Sequence, residues 1–527
     1  MVNATTPTRA PLSARLAASV ALACAGLAGS AAGVVEPAAV AKAPPRPNVV
    51  LIVTDDQAAH TVRPDTMPNL YSRIAAGGTS FTDAIVTTPL CCPSRASMLT
   101  GQYGHNNGVL KNDYRGLRHK RNTLPAWLRR AGYRTIHVGK YLNLYRKARG
   151  PESRPAPGWD RWQTIQEPVD YYDYDFSVNG RVTHFGTRDR DYVTDVLNRM
   201  AARLVRRYGS RKDPFYLQLD HWAPHNGFAT GVGGACDVAS NPVPAPGDES
   251  LFATEPLPRP PAFDEEDVSD KPSFVRAHPR VDVPAVERRY RCGLASLRAV
   301  DRGIEKLHRA LRKAESLDDT VIIFTSDNGF FYGEHRLRLK ALPYEEALRV
   351  PLLVALPPRL RSGGSRSEAI EEPVANIDLA PTILELAGAR PCRRKHDCRV
   401  IDGRSLVPLL QGRQADWPHD RAVVVEHAGG GRRFSACSYR GIRVPEQIYV
   451  EHTMTFDPSA GACQPAFEVE HYDLGADPYE LENRYPADPK TPEAEQQEEL
   501  ANQLATLRDC AGIEGRDPQL RTRAYCE

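Results

Sequence analysis

The run PNVVLIVTDDQ, Pro47 to Gln57, places five consecutive apolar residues, Val49 to Val53, one threonine ahead of two aspartates. Five residues are too few for a helix, and most of these are β-branched. An unbroken apolar run has no solvent face, so a strand buried on both sides within a parallel sheet is expected. The design recurs three times. In YRTIHVGKY, Thr135 to Val138 lead to Lys140; in PFYLQLDHWAPH the run ends at His221 and His225; in DTVIIFTSDNGF, Val321 to Thr325 lead to Asp327 and Asn328. Polar residues thus gather beyond the same end of each strand, which is where open α/β sheets bind their ligands, and one site built from four strand ends follows.

Between these strands lie segments of helical period. In LASLRAVDRGIEKLHRALRKA, Leu294, Leu297, Val300, Ile304, Leu307 and Leu311 step by three or four along one face. Alternation of strand and helix gives an α/β domain with a mainly parallel central sheet, expected over residues 47–412. Residues 229–284, rich in proline and acid (NPVPAPGDES, PLPRPPAFDEEDVSDKP), break the rhythm and read as an insertion near the mouth of the site. After IDGRSLVPLL the pattern changes. RAVVVEH, FSACSYRGIRV and QIYVEHTMTF alternate like antiparallel strands and EAEQQEELANQLATLRDC reads as a late helix, so a smaller α+β domain with an antiparallel sheet is expected over 413–527.

The 527 residues carry a formal net charge of +3 with 41% apolar residues, which fits a globular chain and gives no electrostatic footprint for nucleic acid. Arg9 and Arg15 precede LAASVALACAGLAGSAAG, a short apolar run ending in small residues, which reads as a signal peptide over 1–32 and is too short for a transmembrane span. A linker over 33–46 follows. Export to the medium, the periplasm or the cell surface is therefore expected, and Cys24 in ALAC allows a lipid-anchored form. Of 11 cysteines, eight lie outside the signal and outside the Cys91-Cys92 pair, enough for up to four disulfides in an oxidising compartment, with Cys392 and Cys398 a plausible short-loop pair.

Asp55-Asp56 and Asp327-Asn328 each have an ordinary reading as helix caps or Asx turns. Together, at the ends of two core strands, they offer three carboxylates and an amide oxygen, a hard ligand set that suits Ca²⁺ or Mg²⁺ better than zinc. CCPSRASMLTG, Cys91 to Gly101, has a proline suited to the first helical position and a glycine suited to the stop, so Cys91 and Cys92 are expected just before a helix N-terminus. That end attracts anions, and Arg95 on the first turn is suited to hold a tetrahedral oxyanion.

CCPSRASMLTG resembles the signature of the sulfatase family, C-x-P-S-R followed by T-G, whose first cysteine is oxidised after synthesis to 3-oxoalanine (Cα-formylglycine). NVVLIVTDDQ before it, and GKYLN, APH, SDNGFFYGEH, LKALPYEEALRVPLLV, IDLAPTILELAG, DGRSLVPLL and HYDLGADPYELEN after it, occur in the family's order. The resemblance implies an alkaline-phosphatase-like sandwich, a formylglycine made from Cys91 by a formylglycine-generating enzyme, and a divalent cation, Ca²⁺ or alternatively Mg²⁺. Asp55, Asp56, Asp327, Asn328 and the modified Cys91 would hold it. Arg95 would position the formylglycine, and Lys140, His225 and Lys340 would contact sulfate or protonate the leaving oxygen, with His225 as general acid. A hydrated aldehyde carries two oxygens on one carbon. One attacks sulfur and the other expels sulfate by re-forming the aldehyde, an exit that a serine ester lacks. His105, His221 and His335 are read as structural.

Many sulfatases carry a histidine two residues after the motif lysine, whereas Leu142 stands there in this chain and Asn143 follows. GKYLN and CCPSRASMLTGQYGHNNGV resemble instead the branch acting on 6-sulfated glucosamine, including N-acetylglucosamine-6-sulfatases and extracellular endosulfatases. The resemblance implies hydrolysis of N-acetylglucosamine 6-sulfate in glycosaminoglycans. The alternatives are an arylsulfatase of broad specificity acting on small sulfate esters, a formylglycine-dependent phosphonate or phosphate ester hydrolase, and a glycan-binding protein that is never matured.

Overall fold

The computed structural model describes residues 46–150, 154–228, 234–361, 369–394, 397–429, 436–457, 459–520 and 522–527. The expected signal peptide, nearly all of the linker and Cys24 lie outside the described residues. Among those described, no helix is long and apolar enough to cross a membrane.

A ten-stranded sheet forms the centre. Its middle is made by the four strands expected from the sequence, in the order Thr320–Ser326, Asn48–Thr54, Phe215–Asp220, Arg134–Gly139, each parallel to its neighbours in that series. Arg161–Ile165 continues the parallel set beyond Arg134–Gly139, and the antiparallel strands Tyr174–Val178 and Arg181–Phe185 close that side. On the other side Leu352–Ala355 runs antiparallel to Thr320–Ser326.

Both faces of the sheet are covered, which is why its central strands carry unbroken apolar runs. Val49, Leu51 and Val53 pack on one side with Ala96 and Leu99 of the helix Cys91–Thr100 and with Ile383 of Leu379–Leu386. Val50 and Ile52 point the other way, against Leu197 of Val193–Tyr208 and Val300 of Val283–Lys313. Each such side chain removed from water contributes about 1.5–3 kcal/mol. The helix Val283–Lys313 starts 11 residues before Leu294, where the apolar stepping was first recognised. Val286 and Tyr290 extend the same face by steps of four, and the Asp282 carboxylate accepts the Ala285 N–H as an N-cap.

The second sheet is antiparallel, with strands Val423–His427, Tyr439–Val444, Gln447–Asp457 and Ala462–Asp473 in that order. The helix Pro492–Leu507 packs on it through Leu500 and Leu504. Ala462–Asp473 was not foreseen as a strand, because Pro465 breaks a ladder; it is an edge strand, where proline is tolerated. Residues 234–282 hold one short helix, Ser273–Arg276, and no strand of either sheet. Four disulfides join Cys236 to Cys292, Cys392 to Cys398, Cys437 to Cys463 and Cys510 to Cys526, leaving Cys91 and Cys92 as thiols among the described residues.

Candidate active site

The four strand ends meet as the sequence suggests. Asp55 and Asp56 follow Asn48–Thr54, Asp327 and Asn328 follow Thr320–Ser326, and Lys140 follows Arg134–Gly139, all of them buried. Cys91 and Cys92 lie inside the helix, not before it, since the helix starts at Cys91 with Leu90 as its N-cap. Pro93 is then the third helical residue. The first N–H groups of a helix have no intrahelical acceptor, so a proline there costs no hydrogen bond. Gly101 ends the helix with φ of 65°, the left-handed conformation that a C-terminal glycine supplies.

Cys91 Sγ sits among charges. Lys340 Nζ donates to it at 2.8 Å, and Asp55 Oδ1 lies 3.5 Å away. Lys340 also donates to Asp56 Oδ1, and Lys140 to Asp55 Oδ2. His225 Nε2 stands 3.7 Å from Asp56 Oδ2, while Nδ1 lies 2.9 Å from the Asn226 carbonyl. A carbonyl only accepts, so Nδ1 carries the hydrogen and Nε2 faces the cluster. Ligand atoms of Asp55, Asp56, Cys91 and His225 all fall within 4.8 Å of one another. Asp327 and Asn328 adjoin this group, with Asp327 Oδ1 accepting the Asp56 N–H at 3.1 Å and Asn328 Nδ2 donating to Asp56 Oδ1 at 2.9 Å. Asp56 holds φ of 66°, a left-handed conformation that costs a non-glycine residue about 1 kcal/mol or more.

Arg95 is placed differently from the expectation that it holds a substrate oxyanion. Its Nε donates to Asp327 Oδ2 at 2.7 Å, Nη1 to Asp220 Oδ1 at 2.8 Å, and Nη2 lies 3.6 Å from Asp55 Oδ2. The guanidinium is thus engaged with three carboxylates below Cys91. Asp220 went unnoticed in the sequence although it ends the strand Phe215–Asp220 as the other site carboxylates end theirs. His137, also overlooked, puts Nε2 3.0 Å from Asp220 Oδ2 and Nδ1 2.8 Å from Thr164 Oγ1. Of the histidines read as structural, His105 pairs with Glu426 and His335 with Glu265, whereas neither ring nitrogen of the buried His221 has a hydrogen-bond partner.

Burial and charge set the protonation states. Burial pushes the Cys91 thiol up to about 12 against the pull of Lys140 and Lys340, so the unmodified side chain is a neutral thiol and a poor nucleophile at neutral pH. Burial also raises Asp56, but Lys340 and His225 outweigh it and hold the carboxyl well below the usual range. Lys140 and Lys340 are both raised, because Asp55 for the first and Asp56 for the second overcome the desolvation. His225 is held well below an ordinary imidazole by burial, with Lys340 and Lys140 adding to the effect over the opposing pull of Asp56.

The residues fit a hard divalent cation. Asn328 Oδ1 is buried without a hydrogen-bond partner, next to three carboxylates of the kind such ions prefer. Above Cys91 opens a cavity of about 200 Å³ whose walls include Lys140, Asn143, Arg146, His225, Asn226 and Lys340. Leu142, at the position expected to hold a histidine, also lines it, and Asn143 Oδ1, next in sequence, is buried and unpaired.

The fold and this site gather a hard-cation ligand set, two lysines and a histidine around Cys91, and comparison with known proteins gives the class. The family model described as Sulfatase matches residues 47–389, and that described as N-sulphoglucosamine sulphohydrolase, C-terminal, matches 333–510. The chain belongs to the sulfatase family, enzymes that hydrolyse sulfuric esters. Human N-acetylglucosamine-6-sulfatase is 31% identical over 543 residues, covering 95% of this chain and 90% of that protein. An extracellular sulfatase SULF-1 homolog of Drosophila melanogaster is 31% identical over 405 residues, 73% of this chain and 33% of the relative. The chain spans about a third to a half of the length of the two extracellular sulfatases it matches in the fly and in Caenorhabditis elegans. Among solved structures, a protein in complex with its substrate D-glucosamine-2-N,6-O-disulfate superposes with a TM-score of 0.71 at 25% identity, covering 87% of this chain and 97% of that one.

Proposed function

We propose that this protein is an exported sulfatase that removes sulfate from O6 of N-acetylglucosamine units in glycosaminoglycans, using a formylglycine made from Cys91 and a bound Ca²⁺. The observation that carries the reading is the position of Cys91: at the floor of the cavity, between Lys340 and Asp55, with His225 and Lys140 on the same wall. Similarity to N-acetylglucosamine-6-sulfatases over most of the chain supports the sugar. Four disulfides and the extracellular relatives support export. Cys91 is 1% exposed, so the maturing enzyme would have to reach it before the chain folds.

Asp55, Asp56, Asp327, Asn328 and the modified Cys91 would hold the cation, which when bound offsets the negative charge of the carboxylates and of the sulfate oxygens. The hydrated formylglycine supplies the attacking oxygen. Arg95 positions Asp327, Asp55 and, through Asp220, the His137 pair beneath that residue. Lys140 and Lys340 bind the sulfate oxygens. His225 Nε2 gives the leaving sugar its proton. Its imidazolium is disfavoured first by burial and then by Lys340 and Lys140, and an arriving sulfate ester brings the negative charge that favours protonation. Asn143, with a buried unpaired oxygen in the wall, is placed to accept a hydroxyl or amide hydrogen of the sugar.

The test compares kcat/KM on glucosamine 6-sulfate oligosaccharides, galactose 6-sulfate, iduronate 2-sulfate, an aryl sulfate, and an aryl phosphate and phosphonate, with mass spectrometry of the Cys91 peptide alongside. The glucosamine ester should be the best sugar substrate and the peptide should carry the aldehyde. A better rate on the phosphonate would reassign the reaction, and active enzyme holding only unmodified thiol would sink the mechanism.

A further inference from the structure

Behind the Lys340 segment lies a second group of ionisable side chains that the proposed reaction does not use. His335 Nε2, Glu346 Oε2 and Glu480 Oε1 are each buried without a hydrogen-bond partner, and one ligand atom from each of the three residues lies within 4.8 Å of the others. His335 Nε2 and Glu346 Oε2 are 3.9 Å apart. The residues come from distant parts of the chain: His335 and Glu346 flank Lys340, and Glu480 follows the edge strand Ala462–Asp473 of the second sheet.

The second polar atom of His335 and that of Glu480 are each held by a partner that aims the free one. His335 Nδ1 is 2.7 Å from Glu265 Oε2, so a carboxylate fixes the tautomer and turns Nε2 toward the two glutamates. The ring stacks on Tyr344 at 4.5 Å between centroids. Glu480 Oε2 accepts the Glu345 N–H at 2.9 Å, which leaves Oε1 free. A carboxylate on one imidazole nitrogen with the other nitrogen open is the arrangement that accompanies histidines bound to metals.

Charge balance points the same way. Neighbouring buried acids have cationic partners: Glu345 with Arg443 and Arg349, Glu265 with Lys271, Glu470 with His452. Among the described residues, the one ion pair of Glu346 is with His335 and its other charged neighbours are carboxylates, Glu334 first, while Glu480 has no ion pair and likewise faces carboxylates. Two carboxylates this close in the interior need a positive charge or a shared proton.

We propose that His335, Glu346 and Glu480 form a second divalent-cation site, structural in role, that takes Zn²⁺ and ties both ends of the Lys340 segment to the C-terminal part of the chain. One imidazole and two carboxylates without thiolate match a borderline ion of low coordination number, in contrast to the all-oxygen preference of Ca²⁺. The segment has reason to be held. His335, Arg336, Leu339 and Ala341 all have φ between 51° and 81°, conformations that persist in non-glycine residues only when their surroundings impose them. A cation bonded to His335 and Glu346 would fix the segment on either side of Lys340.

The experiment uses the full-length enzyme, stripped with a chelator and then equilibrated with Ca²⁺ alone or with Ca²⁺ and Zn²⁺. Zinc content is read by mass spectrometry and the melting temperature by calorimetry. The expected result is one zinc per chain and a rise in Tm of about 2–5 °C on adding zinc. His225→Ala and Asp327→Ala, which alter the other cluster, should keep that zinc. Glu346→Gln and His335→Gln should lose it and their Tm should stop responding, with circular dichroism reporting the fold. X-ray absorption of the wild-type zinc should show one imidazole and oxygen donors. Wild type that takes up no zinc, or takes up only zinc that His225→Ala and Asp327→Ala abolish, overturns the proposal and leaves a proton shared between the two glutamates.

Discussion

Charge is buried in two quite different ways at the ends of the central strands and along the seam between the two sheets. At the strand ends, Asp55, Asp56, Asp220 and Asp327 face Arg95, Lys140 and Lys340, and Asn328 Oδ1 and Arg95 Nη2 are left without hydrogen bonds. At the seam the arginines are gripped on several edges. Arg443 Nη1 donates to Asp83 at 2.5 Å and its other nitrogens to Glu345, and Arg421 makes a two-pronged pair with Asp378 at 2.6 and 2.8 Å while its Nε donates to Glu527. Around these two arginines each guanidinium nitrogen is engaged by a carboxylate, and this part of the seam belongs to stability. The strand ends hold donors and acceptors in excess of their mutual needs, which is what a site prepared for an anion and a cation requires.

That contrast breaks most visibly at the two cysteines. Cys91 belongs to the prepared site, whereas Cys92 is buried in the apolar face of the helix. Cys91→Ser and Cys91→Ala should lower kcat by roughly 10⁴-fold or more, because neither would yield the proposed aldehyde, with the fold retained. Cys92→Ala should turn over almost normally and lose about 1–3 kcal/mol of stability through a small cavity. Equal loss of turnover in both variants would mean that the pair is structural. A second cut separates the proposed proton donor from the rest of the site. His225→Ala should reduce kcat/KM on a sugar sulfate by about 10²–10⁴-fold, and on an activated aryl sulfate, whose leaving group needs little protonation, by less than about 10-fold. A uniform loss on both substrates would assign His225 to binding.

What the sequence displayed of this site and what it hid follow from one distinction. The four central strands were legible because burial on both faces leaves a run of β-branched residues that nothing else explains, and because a polar residue at the end of such a run has few structural uses. Asp220 sits at one of those ends and was available to the same rule, but His221 and His225 drew the reading past it. The start of the Cys91 helix was misplaced by two residues because proline favours the first position, although any first-turn position tolerates it. The engagement of Arg95 with three carboxylates was hidden for another reason. Its partners come from three different strands, and no local pattern reports a contact between residues separated by 125 and 232 positions. The edge strand Ala462–Asp473 was concealed by Pro465.

At the seam the expected effects fall on stability. Arg443→Met leaves Asp83 and Glu345 buried without their main cation, and removing one partner of such a pair costs about 3–5 kcal/mol. Denaturant midpoints should fall accordingly, while kcat for the molecules that remain folded stays within about twofold. If turnover dropped as far as stability, the seam and the strand ends would be one cooperative structure and the contrast drawn between them would fail.

The smallest effect is also the most specific, because its sign depends on pH. His105 Nδ1 lies 2.9 Å from Glu426 Oε1 at the seam. Burial alone would lower His105, but Glu426 outweighs it and raises the imidazole above its ordinary value; burial would raise Glu426, but His105 outweighs it and lowers the carboxyl. A raised histidine contributes stability that is fully present below its unfolded value, about 6.5, and is lost as pH rises through the higher folded one. A lowered glutamate contributes stability that is fully present above its unfolded value, about 4.3, and is lost as pH falls through the lower folded one. The pair therefore stabilises most between about pH 4.3 and 6.5. Glu426→Gln keeps the shape and one acceptor, so it should cost about 1–2 kcal/mol near pH 5.5, and the gap from wild type should narrow steadily above pH 7. Melting curves of the two proteins at several pH values measure that gap. A gap of the same size at pH 5.5 and pH 8.5 would show that Glu426 acts through its hydrogen bonds to the His105 backbone and not through charge, and that this part of the seam is as indifferent to protons as its apolar surroundings.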